Sequence, residues 1–491
     1  MEIEMSEQVI RGLEPKILWQ RFYEITRVPR PSKKEWKILE HIINLCKQLN
    51  VSFKQDKVGN ILISIPAAKG YEKSQTVVLQ GHVDMVCEKN KATQHDFNND
   101  PIKMKREDGW ITADGTTLGS DNGIGVAAAL AVITDKEIVH GPVEILLTID
   151  EETGLTGADN LEQGFISGKI LLNLDSEEDG TFYIGCAGGI DTSGIFQVEF
   201  KESPSGKQAV ELMITGLKGG HSGSEINTGR ANAIKLLARS LRELDGINFD
   251  LASISGGSKR NAIPREAEAV LLINISNFNK VESIIKEFEQ KLNVEYKASD
   301  GGVKIEFKKS SAFPKKVFTD SFKEKILSTL LAVPHGVIEM SQDIEGLVET
   351  STNLATVVFE NNTLTVGTSQ RSSIESAKKY IAQSVASVFS LAGGRYEHTD
   401  GYPGWKPNMD SEILELSERV YTKLFKEKPE VKAIHAGLEC GILGDRNPGL
   451  DMISFGPTIT GAHSPDERVE IKTVEKFYEL LKGILREIAG A

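Results

Sequence analysis

Apolar positions along the chain switch between two rhythms. Trp36, Ile38, Leu39, Ile42, Ile43, Cys46 and Leu49 recur at helical spacing, so residues 14–50 read as two helices packing on a core. Residues 51–66 read as a strand pair turning at Gly59-Asn60. Three short apolar runs follow, 76–79, 143–149 and 169–174, each of strand length and each closed abruptly by polar residues. A glycine-rich loop, 114–125, feeds a helix over 126–134. Buried strands alternating with helices predict an open α/β sheet, and such sheets place ligands just beyond the carboxyl ends of their strands.

From about Ile190 the texture changes. Residues 208–245 read as a strand, a glycine-rich turn and a helix over 231–244; a turn and strand at 256–275 and a helix over 281–292 follow. Residues 302–392 repeat the rhythm with a strand, a helix over 321–331, a strand pair and a helix over 374–391. Asn261 and Asn353 each directly precede a strand in their halves, which suggests an internally doubled α+β insert. Beyond Gly394 the α/β alternation returns: a helix over 412–425, a strand over 431–435, a helix opening at 437–444, a strand over 452–455, and a last helix over 471–488.

At 491 residues the chain exceeds one ordinary core, so two or three domains are expected. A net charge of -13 without a basic block argues against nucleic acid or an anionic membrane as partner. The longest apolar run, 126–133, falls far short of the ~20 residues of a membrane span. Residues 1–15 are acidic and amphipathic, with no apolar signal core. Four scattered cysteines fit neither a disulfide framework nor paired metal spacing, which points to a reducing, cytoplasmic setting.

What closes the apolar runs carries the chemistry. The first ends in His82 and Asp84, the second in Asp150, Glu151 and Glu152, and the third in Asp175; Asp121 sits inside the glycine loop and His463 in the loop beyond 452–455. In extended chain His82 and Asp84 share a side, which suits a ligand imidazole that passes its other N–H to a carboxylate. Glu151 and Glu152 point to opposite sides of an extended chain and so divide two jobs between them. The glycine loop lacks dinucleotide spacing, and Asp121 at its centre would repel a phosphate, so it suits a cation. A lone His-x-Asp is usually a surface turn and a lone acidic pair a solvated one. Together, two imidazoles and three carboxylates suit two zinc-like cations with one carboxylate bridging, and such ions ~3.5–4 Å apart activate water and polarise a carbonyl. That tally leaves Glu151 as general base and Asp84 as the group orienting His82.

GHVDMV at 81–86, LGSDNGIG at 118–125, DEETG at 150–154 and LDSE at 174–177 resemble the dinuclear-zinc superfamily of aminopeptidases, carboxypeptidases and aminoacylases. GGHSG around His221, SKRNAIPREA, QDIEGLVETSTNLA, DGYPGWKPN and HAGLECG narrow the resemblance to the aminoacyl-histidine dipeptidase family, and the match runs nearly end to end. The resemblance implies a catalytic domain split into 1–188 and 398–491 around a lid domain, 189–397. It implies two zinc ions, with cobalt or manganese as substitutes, held by His82, Asp121 and Asp175 on one side and by Asp121, Glu152 and His463 on the other. Glu151 would carry a proton from a bridging water to the leaving amine. His221 would contact the developing oxyanion, Arg371 would clamp the substrate carboxylate and Asn261 would donate to the same substrate; for His435 and Glu439, lining the pocket and packing or helix capping are equally good readings. The implied reaction is hydrolysis of unblocked dipeptides, Xaa-His and β-alanyl-histidine among them. A doubled lid would supply His221 within one chain, whereas a single lid would borrow it across a homodimer. Two other readings stand beside this one: an N-acyl amino acid deacylase on the same fold, and a non-catalytic peptide-binding protein, against which the retention of Glu151 and every ligand argues.

Overall fold

The computed structural model describes residues 8–490, so part of the amphipathic N-terminal segment lies outside the described residues. The chain divides into two compact units, one of residues up to 185 with 407–433 and 438–491, the other of 186–406 with 434–437.

The first unit is built on an eight-stranded sheet in the order Ser52–Gln55, Ile61–Ile65, Val143–Thr148, Val77–His82, Ile170–Asn173, Asp451–Ser454, Thr181–Cys186 and Glu430–Ile434. Val77–His82 runs parallel to both neighbours, and Asp451–Ser454 parallel to Ile170–Asn173. Strands covered on both faces have no polar face, which is why the central ones read as unbroken apolar runs. The register sets His82 opposite Thr148, Gln80 opposite Asn173, and Asn173 opposite Ser454. The four strands therefore end level, and the segments carrying His82, Glu151, Asp175 and His463 leave from one sheet edge.

Two local expectations need correction. The helix behind the glycine loop starts at Ser120 rather than Val126 and breaks at once, Asp121 and Asn122 holding non-helical torsions. Residues 151–154 are not extended chain but a short helical turn entered through Asp150 at φ 50°. Thr153 and Thr156 hydroxyls hold the Asp150 carboxylate and fix that left-handed corner. Alternation therefore does not separate Glu151 from Glu152.

The second unit is an α+β sheet backed by helices. One half has the chain order strand Lys207–Thr215, helix Ala233–Arg242, strands Phe249–Gly256 and Ala267–Asn274, helix Phe278–Glu295, strand Lys304–Lys309. The other half has strand Gly188–Gln197, helix Asp320–Ala332, strands Val348–Glu360 and Thr363–Ser372, helix Glu375–Leu391, strand Arg395–His398. In space each half is ordered last, first, third, second, and the two second strands meet at Gly256 and Val357. Leu236, Leu241, Phe288, Phe322 and Phe389 join one buried core from both halves. Asn232 caps Ala233–Arg242 by accepting from the Ile234 and Lys235 N–H groups, a device worth ~1 kcal/mol. Asn261 precedes the short strand Ala262–Ile263 as expected, but Asn353 lies inside Val348–Glu360. No described helix is long and apolar enough to cross a membrane.

Candidate metal centre

In the first unit the two oxygens of Asp121 face different partners. The His82 Nε2 atom lies 3.1 Å from Asp121 Oδ1 and 3.4 Å from Asp175 Oδ1. The His463 Nε2 atom lies 3.2 Å from Asp121 Oδ2 and 3.0 Å from Glu152 Oε2. Two ligand-type sets, His82–Asp121–Asp175 and Asp121–Glu152–His463, thus share one carboxylate. Buried Asp175 Oδ1 and Glu152 Oε1 have no hydrogen-bond partner, as expected of atoms whose partner is a cation. The donor chemistry, imidazole nitrogen with carboxylate oxygen, fits zinc-like ions. His82, Glu151 and Glu152 form a further acidic-imidazole group, so Glu151 stands against the same centre.

The polypeptide around this cluster is braced from below. Asp84, wholly buried, accepts from the Glu151 and Glu152 N–H groups at 3.1 and 3.2 Å and from the Ser32 hydroxyl at 2.7 Å, while its Oδ1 lies 3.3 Å from His82 Nδ1. One carboxylate thereby orients an imidazole and the acidic turn together. Two further braces have no motif to announce them. Arg30, buried, donates to the Val83, Asp84 and Gly119 carbonyls and ties the first strand's end to the glycine loop. Glu467 accepts from the Leu118, Gly119, Ser120 and Asp121 N–H groups and the Ser120 hydroxyl. Replacing Glu467 by Ala is expected to cost ~3 kcal/mol of stability, because the buried donors lose their acceptor, and to weaken metal binding ~10–100-fold. Thermal melting and metal titration of the variant check both.

The cluster's electrostatics are those of a cation site. Burial alone would lower the His82 imidazole, but Asp175, Asp121 and Asp84 outweigh it and hold it well above its ordinary value. Asp121 and Glu152 push His463 up to about 11. Burial raises the Glu151 carboxyl well above the usual range, with Asp175, Glu439 and Glu152 adding to it and His82 opposing it.

Glu439, a candidate for either pocket lining or packing, is turned into the sheet of the first unit. It is wholly buried, and its Oε2 accepts from Gln80 Nε2 at 2.6 Å and Thr148 Oγ1 at 2.7 Å. Gln80 in turn accepts from Asn173 and Asn173 from Ser454, so Glu439 heads a hydrogen-bonded chain across the sheet. Burial pushes its carboxyl up to about 7.

The remaining candidates stand on the second unit. His221 and Asn261 line one cavity of about 850 Å³. The Gly223 and Ser224 N–H groups both reach His221 Nδ1 at 3.2 Å, so Nδ1 is the acceptor and the ring hydrogen sits on Nε2. Burial, then the Arg371 charge, lowers the pKa of that imidazole. His435 Nε2 pairs with Ser351 Oγ at 2.7 Å, and burial, with Arg371 and His221, pushes it down to about 3. Arg371 is buried, donates to Tyr402, and has no acceptor at Nε.

A carboxylate shared between two ligand-type sets, a second carboxylate against them and a level strand edge fit a metal centre. The family model for peptidase family M20/M25/M40 matches residues 78–487. The chain belongs to that family. It is an enzyme of a metal-dependent class of peptidases. It is 41% identical to the cytosol non-specific dipeptidase of Escherichia coli over 485 residues, 99% of each chain. It superposes on the crystal structure of the aminoacylhistidine dipeptidase of Vibrio alginolyticus with a TM-score of 0.88 and 43% identity, covering 97% of each chain. The M20 fold is also met in the aminopeptidase PepT of Bacillus cereus, at a TM-score of 0.57 and 17% identity over 97% of this chain and 99% of that one.

Proposed function

We propose that this M20 peptidase is a dizinc dipeptidase of the cytoplasm that hydrolyses unblocked dipeptides, Xaa-His and β-alanyl-histidine included. The observation that carries the reading is Asp121, whose two oxygens serve two ligand sets at once. His82, Asp121 and Asp175 would hold one ion and Asp121, Glu152 and His463 the other. When bound, the ions supply Lewis-acid polarisation of the scissile carbonyl and a lowered pKa for the attacking water.

Glu151 takes the proton of the attacking water on its carboxylate and returns it to the leaving amine. Burial raises that carboxyl and added cationic charge lowers it, so the group is poised to exchange a proton in both directions. Asp84 keeps His82 and the Glu151 turn aligned through the bonds described above. His221 donates from Nε2 to the oxygen that gains charge as the carbonyl becomes tetrahedral, a contribution of ~3 kcal/mol. Arg371 binds the substrate's free carboxylate and Asn261 donates to the same substrate. The second unit, in this reading, is the lid.

Support for the dipeptide comes from the two dipeptidase relatives, each matched over nearly its full length. A substrate panel tests it. Ala-His and β-alanyl-histidine are expected to be cleaved at least ~100-fold more efficiently than tetrapeptides, whose carboxylate lies too far from the first peptide bond to meet the buried arginine, and than N-acetyl amino acids, which keep that carboxylate but lack the free amine. Preference for N-acetyl amino acids would replace the dipeptidase with a deacylase; equal cleavage of long peptides would remove the carboxylate clamp from the account.

A further inference from the structure

Arg371 presents an unusual economy of partners. It lies in strand Thr363–Ser372 opposite Gly189, is only 8% exposed, and has no ion-pair partner among the described residues. Its Nη1 donates to the Tyr402 hydroxyl at 2.9 Å, while Nε is buried without an acceptor. A guanidinium is planar, and the N–H bonds of Nε and Nη2 run side by side on one edge. With Nη1 taken, that edge is the fork left for a planar anion, and a buried cation without one is costly.

Tyr402 is held in place more firmly than a surface loop residue needs to be. Its backbone exchanges hydrogen bonds with Gly189 at 2.9 and 3.1 Å, and its carbonyl also accepts from Lys378 Nζ at 2.6 Å. Lys378 is itself buried. The ring lies in a slot floored by glycines: a Cβ added at Gly189 would stand 2.7 Å from it and one at Gly437 2.9 Å. The DGYPGWKPN segment, prominent in the sequence, thus delivers one phenol to one guanidinium. The hydroxyl accepts from Arg371, so its own hydrogen is left to donate.

We propose that Tyr402 is the positioning residue of the substrate-carboxylate site: its hydroxyl anchors Nη1 of Arg371, turns the Nε/Nη2 edge toward a free α-carboxylate, and donates to that carboxylate's second oxygen. The proposal rests on the dipeptidase reading and specifies its carboxylate subsite. The test is Tyr402→Phe, which keeps the ring in its slot, assayed on Ala-His and on Ala-His carboxamide. For Ala-His, KM is expected to rise about tenfold, with kcat within about twofold, the loss of one hydrogen bond to a charged group. For the carboxamide, which carries no anion, KM is expected to stay unchanged. An unchanged KM for Ala-His, or an equal loss on acid and amide, overturns the proposal, the second result marking a merely structural tyrosine. Calorimetric binding of L-histidine, a free-carboxylate product, separates the two readings. If wild-type protein cleaves no dipeptide, the dipeptidase reading fails. The Tyr402 proposal then stands only if histidine binds about tenfold more weakly to Tyr402→Phe, and falls if the two affinities are equal or neither protein binds histidine.

Discussion

Protein carrying Glu151→Gln is expected to cleave Ala-His at least ~1000-fold more slowly than wild type while keeping its fold and its metal. Glutamine has the shape of the glutamate but cannot accept the proton. The backbone anchor survives, since the Glu151 and Glu152 N–H groups still meet Asp84. What is removed is a carboxyl raised by desolvation and by the negative charges of Asp175, Glu439 and Glu152. The variant also decides between two jobs, because His82, Glu151 and Glu152 are themselves close enough to hold an ion. Metal content equal to wild type with lost turnover identifies a base. Metal content that falls along with activity would make Glu151 a ligand.

Asp121→Asn is expected to be the most damaging ligand change, lowering metal content and abolishing turnover beyond rescue by added zinc. Asp121 Oδ1 belongs to the His82–Asp175 side and Oδ2 to the His463–Glu152 side. An amide offers one good acceptor where the carboxylate offers two, and it takes away the charge that neutralises two cations. The loss should therefore exceed the ~10–100-fold drop in affinity that follows removal of a group behind a ligand, such as Glu467. Metal analysis after dialysis, with calorimetric titration of zinc, measures it. Wild-type stoichiometry in Asp121→Asn would mean the two sets bind independently.

The site was legible in the sequence to the extent that it hangs on strands. His82, Glu152 and Asp175 follow apolar runs with no polar face, and the sheet's register brings their ends level as that pattern predicts. The doubled second unit was legible too, because its helices and strands keep their spacing in both halves, although Asn353 proved to lie within a strand. Legibility ended where local geometry depends on side-chain bonds. Asp150 takes a left-handed corner secured by Thr153 and Thr156, and no periodicity encodes that. The hairpin Met104–Glu107 and Trp110–Ala113 escaped notice because its first strand has one buried residue followed by three exposed ones. Arg30 and Glu467 were missed for a further reason: each acts through backbone groups far away in sequence. A buried charge in an otherwise ordinary stretch gives no signal until its partners are seen. Glu439 sits in a conspicuous motif, yet its bonds turn it toward Gln80 and Thr148.

The measurement that bears most directly on the account is hydrolysis of Ala-His by purified protein, as isolated, after chelation and after zinc is returned, with bound metal counted in each state. The account predicts two ions per chain, activity that vanishes when they are removed, and activity that returns with zinc. Full activity in chelated, metal-free protein would contradict it.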